Sequence, residues 1–273
     1  MQTRYGPILL LVFAGACANL GAPNGAQYNY ADIEIDGSAA PGGQVTAQPQ
    51  ALFFRSVQLV FPDSHSPRDV CVVQSIPGST GTIGSVASRP IAGGDSVAVR
   101  LDSVTTYLTP QSSGNQAVYG VPGAGRVTYA PGALLRVTTL GATAGFPAAT
   151  DTVTTAEPFT MDSLPSTATP GRTIVLHWTP APHPGSKLFV ELRYAATGTT
   201  PTDEIVCDLS DTGTFTIPSL NTVGYFSATA PSRQHLVTRM RTTLRDLGGG
   251  NVLYLLSTYS VTVPTASAAV AQR

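Results

Sequence analysis

The strongest constraint on this chain is a two-residue alternation of apolar and polar side chains, repeated in short runs. "DSVAVRL" sets Val97, Val99 and Leu101 on one side, and "TIVLHW" sets Ile174, Leu176 and Trp178 against Thr173, Val175 and His177. "LFVELRY" turns Leu188, Val190, Leu192 and Tyr194 one way and Glu191 and Arg193 the other, and "FFRSVQLVF" aligns Phe53, Val57, Leu59 and Phe61. Successive side chains of a β-strand point to opposite faces, so this alternation predicts strands that bury one face each, as antiparallel sheets do. Clusters of Gly, Pro, Ser and Asn punctuate the runs, the pattern of a sandwich or barrel. No segment has a convincing helical period. "RMRTTLRDL", then "GGGN", then "VLYLLSTYSVTV" reads as a hairpin.

Pro, Ser and Thr collect in "AEPFTMDSLPSTATPG", which places a boundary near residue 157. Each half has a cysteine-bearing strand, "DVCVV" or "EIVCDL", and closes on "TDTVTT" or "TYSVTV". The stretch "RTIVLHWTPAPHPGSKLFVELRY" resembles the second and third strands of fibronectin type III and related immunoglobulin-like domains, with Trp178, Thr179 and Pro180 at the core tryptophan and its Thr-Pro turn. "YAPGALLRV" resembles the turn into a late strand of that fold, with Leu135 where Tyr is usual. "CDLSDTGTFTIP" lies outside the fibronectin pattern and resembles a segment of poorly characterised bacterial lipoproteins. The similar outline of the halves and this resemblance together predict an all-β protein of two tandem immunoglobulin-like antiparallel β-sandwiches, over 29–157 and 158–264, with Trp178 marking a core; the terminal "TASAAVAQR" reads as a flexible tail over 265–273.

The amino end reads as a secretory leader over 1–16: Arg4, an apolar run from Ile8 to Ala16, and small residues before Cys17. That run is too short to span a bilayer as a helix. "AGAC" resembles the lipobox of bacterial lipoproteins, in which the cysteine takes a diacylglycerol and becomes the acylated first residue. The resemblance implies lipidation at Cys17, a tether over 17–28, and membrane attachment through that lipid. By resemblance to sorted lipoproteins, Ala18 after the cysteine favours the outer membrane. A plainly secreted protein, cleaved before Asn19, is the alternative. Of three cysteines, either route leaves Cys71 and Cys207; they could pair, but the expectation is two unpaired cysteines packed as small hydrophobes.

Charged residues make up only 11% of the chain, with 15 basic and 16 acidic side chains. No basic excess exists to neutralise phosphates, which argues against nucleic acid as a partner.

The candidate chemistry is thin. "DIEIDG" puts Asp32, Glu34 and Asp36 on one face of a strand; they could bind Ca²⁺, but read first as the wet face of an edge strand. Asp208 and Asp211 form a second carboxylate pair, with Asp211 opening a turn that has Gly213 at its left-handed position. "DSHSPRD" gathers Asp63, Ser64, His65, Ser66 and Asp69 in one solvated loop, and neighbours in sequence seldom converge as a catalytic triad. His65, His177, His183 and His235 lack zinc spacing, and no cofactor motif is present. Arg239, Arg241 and Arg245 share a strand face expected to point outward, where they could grip an acidic glycan, head group or protein. Tyr28 and Tyr30 are the remaining candidates for a sugar platform. The expectation is a non-enzymatic envelope lipoprotein with a structural, adhesive, or protein- or glycan-binding role; the alternative is a secreted carbohydrate-binding or accessory module.

Overall fold

The structure is a computed structural model describing residues 27–39, 45–56, 69–76, 88–113, 116–165 and 172–264. Among these residues strands dominate, and the fold is all-β apart from one α-helix and short 3-10 turns. The first half contributes β1 (Tyr28–Ala39), β2 (Val45–Ser56), β3 (Val70–Ser75), β4 (Ser88–Pro90), β5 (Val97–Leu101), β6 (Val104–Ser113), β7 (Gln116–Gly120), β8 (Val127–Thr128), β9 (Leu134–Thr139) and β10 (Ala149–Thr154). The second contributes β11 (Ile174–His177), β12 (Lys187–Tyr194), β13 (Asp203–Ser210), β14 (Thr214–Ile217), α1 (Ser219–Ser227), β15 (Gln234–Gly248) and β16 (Asn251–Thr262).

A single sheet runs β10-β9-β5-β6-β7-β2-β1-β16-β15-β12-β13-β3, with β4 and β8 also pairing to β2; β11 and β14 form a separate pair. β6 turns a corner within itself: Val104–Leu108 pairs with β5, and Thr109–Ser113 with β7. The hairpin expected around "GGGN" is present as β15 and β16, with Gly248, Gly249 and Gly250 all at positive φ.

Both halves share this sheet. β1 pairs with β16 in parallel, Ile33 facing Leu255, where antiparallel pairing alone was expected. β3 pairs with β13. Two cores nevertheless follow the halves. One packs Ile33, Ile35, Phe53, Val97, Leu108, Val137 and Phe146, and borrows Leu253 and Leu255 from β16. The other packs Leu176, Trp178, Leu188, Val190, Ile205, Tyr225, Phe226 and Tyr259. The stretch expected to act as a boundary belongs to this second core: Ala156, Phe159 and Leu164 are buried there.

The alternation expected for β5 and β11 holds, with Val97, Val99, Ile174, Leu176 and Trp178 buried. β12 departs from it. Glu191, expected outside, is 2% exposed, because β12 lies between β13 and β15 and its carboxylate is held by Arg193 at 2.6 Å.

The cysteines expected to be unpaired are joined. The Cys71–Cys207 disulfide links directly opposed residues of β3 and β13, 136 residues apart in sequence. Sequence spacing carries no information about that approach; the strand register supplies it.

α1 was not expected. Its N-cap is Pro218 with no side-chain cap bond, so local sequence hardly favours a helix here. It forms because Thr222, Tyr225 and Phe226 bury against the second core. Gly224 allows that approach: a Cβ there would lie 2.8 Å from the Tyr194 hydroxyl.

Candidate functional site

The arginines expected to face solvent are the principal correction. Arg239 is fully buried and Arg241 is 6% exposed; only Arg245 is exposed. They share the face of Val237, which points into the second core, while Leu236, Thr238 and Met240 face the other way. The alternation in β15 was legible, but its polarity was not.

Burial of a guanidinium requires partners, and both have them. Arg239 Nε approaches Asp211 Oδ2 at 2.8 Å as an ion pair. Its Nη1 donates to the carbonyls of Glu157 and Pro158, its Nη2 donates to Thr179 O, and its charge lies 4.8 Å from the centre of the Phe159 ring. Asp211 also accepts from Trp178 Nε1 at 2.8 Å and Ser186 Oγ at 2.6 Å. Arg241 binds Glu157 through two bonds, Nε to Oε2 at 2.9 Å and Nη2 to Oε1 at 2.8 Å, and also donates to the carbonyls of Pro184 and His183. Trp178 is thus a core residue, as expected, whose indole N–H is anchored in a salt-bridge network. This cluster clamps the 157–158 segment and the turns at 179–184 and 211–213 onto β15. Each guanidinium thus has structural partners, with Arg239 Nε served by the Asp211 ion pair alone and no hydrogen bond.

The carboxylate stripe is also placed differently from the edge-strand expectation. β1 is flanked by β2 and β16, so Asp32, Glu34 and Asp36 lie on a central strand. Their lateral neighbours are Leu52, Gln50 and Gln48 on one side and Tyr254, Leu256 and Thr258 on the other. Asp32 Oδ1 is sealed from solvent without a hydrogen-bond partner, although the residue as a whole is half-buried. Burial first, then the charges of Glu34 and Asp36, push the Asp32 carboxyl well above its usual range. Burial and the Asp36 charge raise Glu34 to about 7. Asp36, exposed as a residue, is also raised by partial burial of its carboxyl, opposed by the Thr258 hydroxyl that donates to it at 2.6 Å. Same-face neighbours on a strand stand about 7 Å apart, too far to converge on one ion. Among the described residues no group of three His, Cys, Asp or Glu side chains could hold a metal.

Asp208 lies 3.6 Å from Lys187, apart from Asp211, and Gly213 adopts the expected left-handed conformation. Tyr30 is buried and stacked on Phe54 with ring centres 5.0 Å apart, so it offers no sugar platform; Tyr28 is half-buried. Cys17 and the loop residues Asp63, Ser64, His65 and Ser66 lie outside the described residues, as do the leader and the tail. Asp69 is the described member of that group. It bonds Ser210 through N–H and Oγ.

A cavity of about 520 Å³ is lined by Arg193, Arg233, His235 and Val263, among others. His235 is committed: the Val263 carbonyl can only accept, so Nδ1 donates to it, and Nε2 accepts from the Tyr225 hydroxyl at 2.7 Å. Burial, helped by the Arg233 charge and opposed by the Val263 bond, holds His235 below its usual pKa, which favours this neutral arrangement. Burial pushes Tyr225 up to about 12. Arg193 is occupied by Glu191 and Glu204. Two polar groups of the cavity wall, Arg193 and His235, are thus held by neighbours, and Arg233 Nη2 donates to the carbonyls of Phe226 and Ala228.

No protein-family model matches this chain, and no curated protein is significantly similar to it in sequence.

Proposed function

We propose that this chain is a non-enzymatic lipoprotein of the bacterial cell envelope, held to the outer membrane by a lipid on Cys17, whose folded part is a rigid β body that works through contacts with an envelope protein or glycan. The observation that carries this reading is the Cys71–Cys207 bridge. Structural disulfides persist in oxidising compartments, which fits a chain whose leader exports it. The engagement of Arg239, Arg241 and His235 by structural partners supports a scaffold over a catalyst. On this reading the two cores correspond to two immunoglobulin-like sandwich modules that have fused their sheets through β1 and β16.

Intact-mass analysis of the membrane fraction, comparing wild type with Cys17→Ser, tests the anchor. Acyl mass and membrane retention disappear together in the variant. Wild-type protein that is water-soluble and carries no fatty adduct overturns the reading.

A further inference from the structure

The two ends of the large sheet are treated differently. At one end, β10 has its outward carbonyls covered: Arg245 Nη1 donates to Thr150 O at 2.8 Å, and Thr243 Oγ1 donates to Thr152 O at 3.0 Å. At the other end lies β3, paired only with β13 among the described strands. Ile76 N–H donates to Thr202 O, so its alternates Gln74 and Val72 point their backbone groups at β13. Val73 and Ser75 then point theirs away from the sheet. Among the described residues only Cys71 of this outward row is covered, its carbonyl accepting from Asn221 Nδ2 at 2.9 Å.

Folded proteins usually protect an open edge with charge or proline. β3, "VCVVQS", has neither. Its valines are bare, with Val72 46% and Val73 49% exposed, and neighbouring α1 exposes Leu220 at 85% and Val223 at 47%. Among the described residues this is an unpaired row of donors and acceptors set in apolar side chains, the surface that strand addition uses.

Charge at the edge selects the guest. Asp69 precedes β3, and Asp203 stands opposite its last residue, Ser75. Their carboxylates accept only from neutral groups: Ser210 for Asp69, and Ser75 and Thr202 for Asp203. The two carboxylates bracket the edge at a separation of roughly 20 Å, the length of a six-residue strand. A second copy of β3 would bring the same carboxylates against each other in either orientation, so charge opposes self-pairing.

We propose that β3 is a docking edge for an extended strand of a partner protein, one with apolar side chains at alternate positions and a Lys or Arg at each end. The guest bonds to Val73 and Ser75, lays its apolar side chains beside Val72, Val73 and the α1 valine and leucine, and neutralises Asp69 and Asp203. This gives the protein-contact reading a surface. Its failure would leave the lipid anchor, tested separately through Cys17, untouched.

The probe is a labelled peptide, acetyl-RVTVTVR-amide, titrated into the full chain by fluorescence anisotropy beside acetyl-EVTVTVE-amide. The basic-tipped peptide binds at least about tenfold more tightly, as two exposed charge pairs of opposite sign predict, and slows hydrogen exchange at Val73 and Ser75. Val73→Pro, which removes an outward N–H and spares the ladder to β13, abolishes binding. Asp69→Asn with Asp203→Asn, a milder change that covers any misfolding of the proline variant, equalises the two peptides. Equal affinity of wild type for both tips overturns the proposal, as does no binding of either or full binding by a folded Val73→Pro. Concentration-dependent dimerisation abolished by Val73→Pro, without peptide binding, would also overturn it, and would assign the edge to a second copy.

Discussion

Asp32, Glu34 and Asp36 stand at successive same-face positions on a central strand, and the charges of all three are costly in the folded state. For Glu34 the sign is definite. Its carboxyl is near 4.5 before burial and about 7 in the folded protein. Between those values the native state binds more protons than the unfolded chain, so stability is greatest at the acid end and falls as pH rises through about 7. The loss is on the order of 1–3 kcal/mol. His235 acts in the opposite sense, since its pKa is lowered and folding is favoured as it becomes neutral. Comparing Glu34→Gln with wild type isolates the carboxylate. Urea midpoints from pH 4.5 to 8 show wild type losing stability towards pH 8 relative to the variant, with the two closest near pH 4.5. A constant difference across that range would refute the assignment. The pattern "DIEIDG" revealed that the three share a face. It could not reveal that the strand is central, because the flanking strand β16 begins more than 200 residues later.

At the level of the element, alternation identified β5, β11, β12 and the β15–β16 hairpin, because a period of two is a local property of the sequence. Three things were illegible for a common reason: they depend on partners remote in sequence. The interior face of β15 is set by Asp211 and Glu157, which lie 28 and 84 positions from their arginines. The disulfide is set by the β3–β13 register. α1 is set by the core beneath it, since its own residues include Gly, Asn, Val and Thr and lack a cap. β15 also yields a sharp mutational contrast. Arg239→Ala leaves the Asp211 carboxylate buried with only neutral donors, and the expected cost is about 3–5 kcal/mol, as for other broken buried pairs. Arg245→Ala on the same face removes one exposed bond to Thr150 and costs less than about 0.5 kcal/mol. Denaturant midpoints with unchanged m-values measure both. Similar small losses in the two variants would mean that Arg239 is not the clamp its geometry describes.

Over the whole molecule, the central question is whether two cores make two cooperative units. The cores are separate, but what encloses them is shared. β16 gives Leu253 and Leu255 to one core and Tyr259 to the other, and it is hydrogen-bonded to β1 through nine aligned residue pairs from Asn29 to Gly37. Arg241 fixes Glu157, at the junction of the halves, onto β15, and Cys71 of the first half is bridged to Cys207 of the second. Unfolding the first core alone would strip β16 of β1 and expose Leu253 and Leu255. Unfolding the second would remove β16 from the first core and leave β1 with an open edge. Neither half can therefore melt without stripping the other of a paired strand. Calorimetry of the oxidised protein should give one transition, with calorimetric and van't Hoff enthalpies in agreement. A fragment of residues 29–157 should remain unfolded alone, since it lacks the two leucines and the strand that closes its core, and adding the β15–β16 hairpin in trans should restore protected amides in β1 and β2. Two resolved transitions, or a 29–157 fragment that folds unaided, would show that the shared strand joins the halves in space without coupling their stabilities.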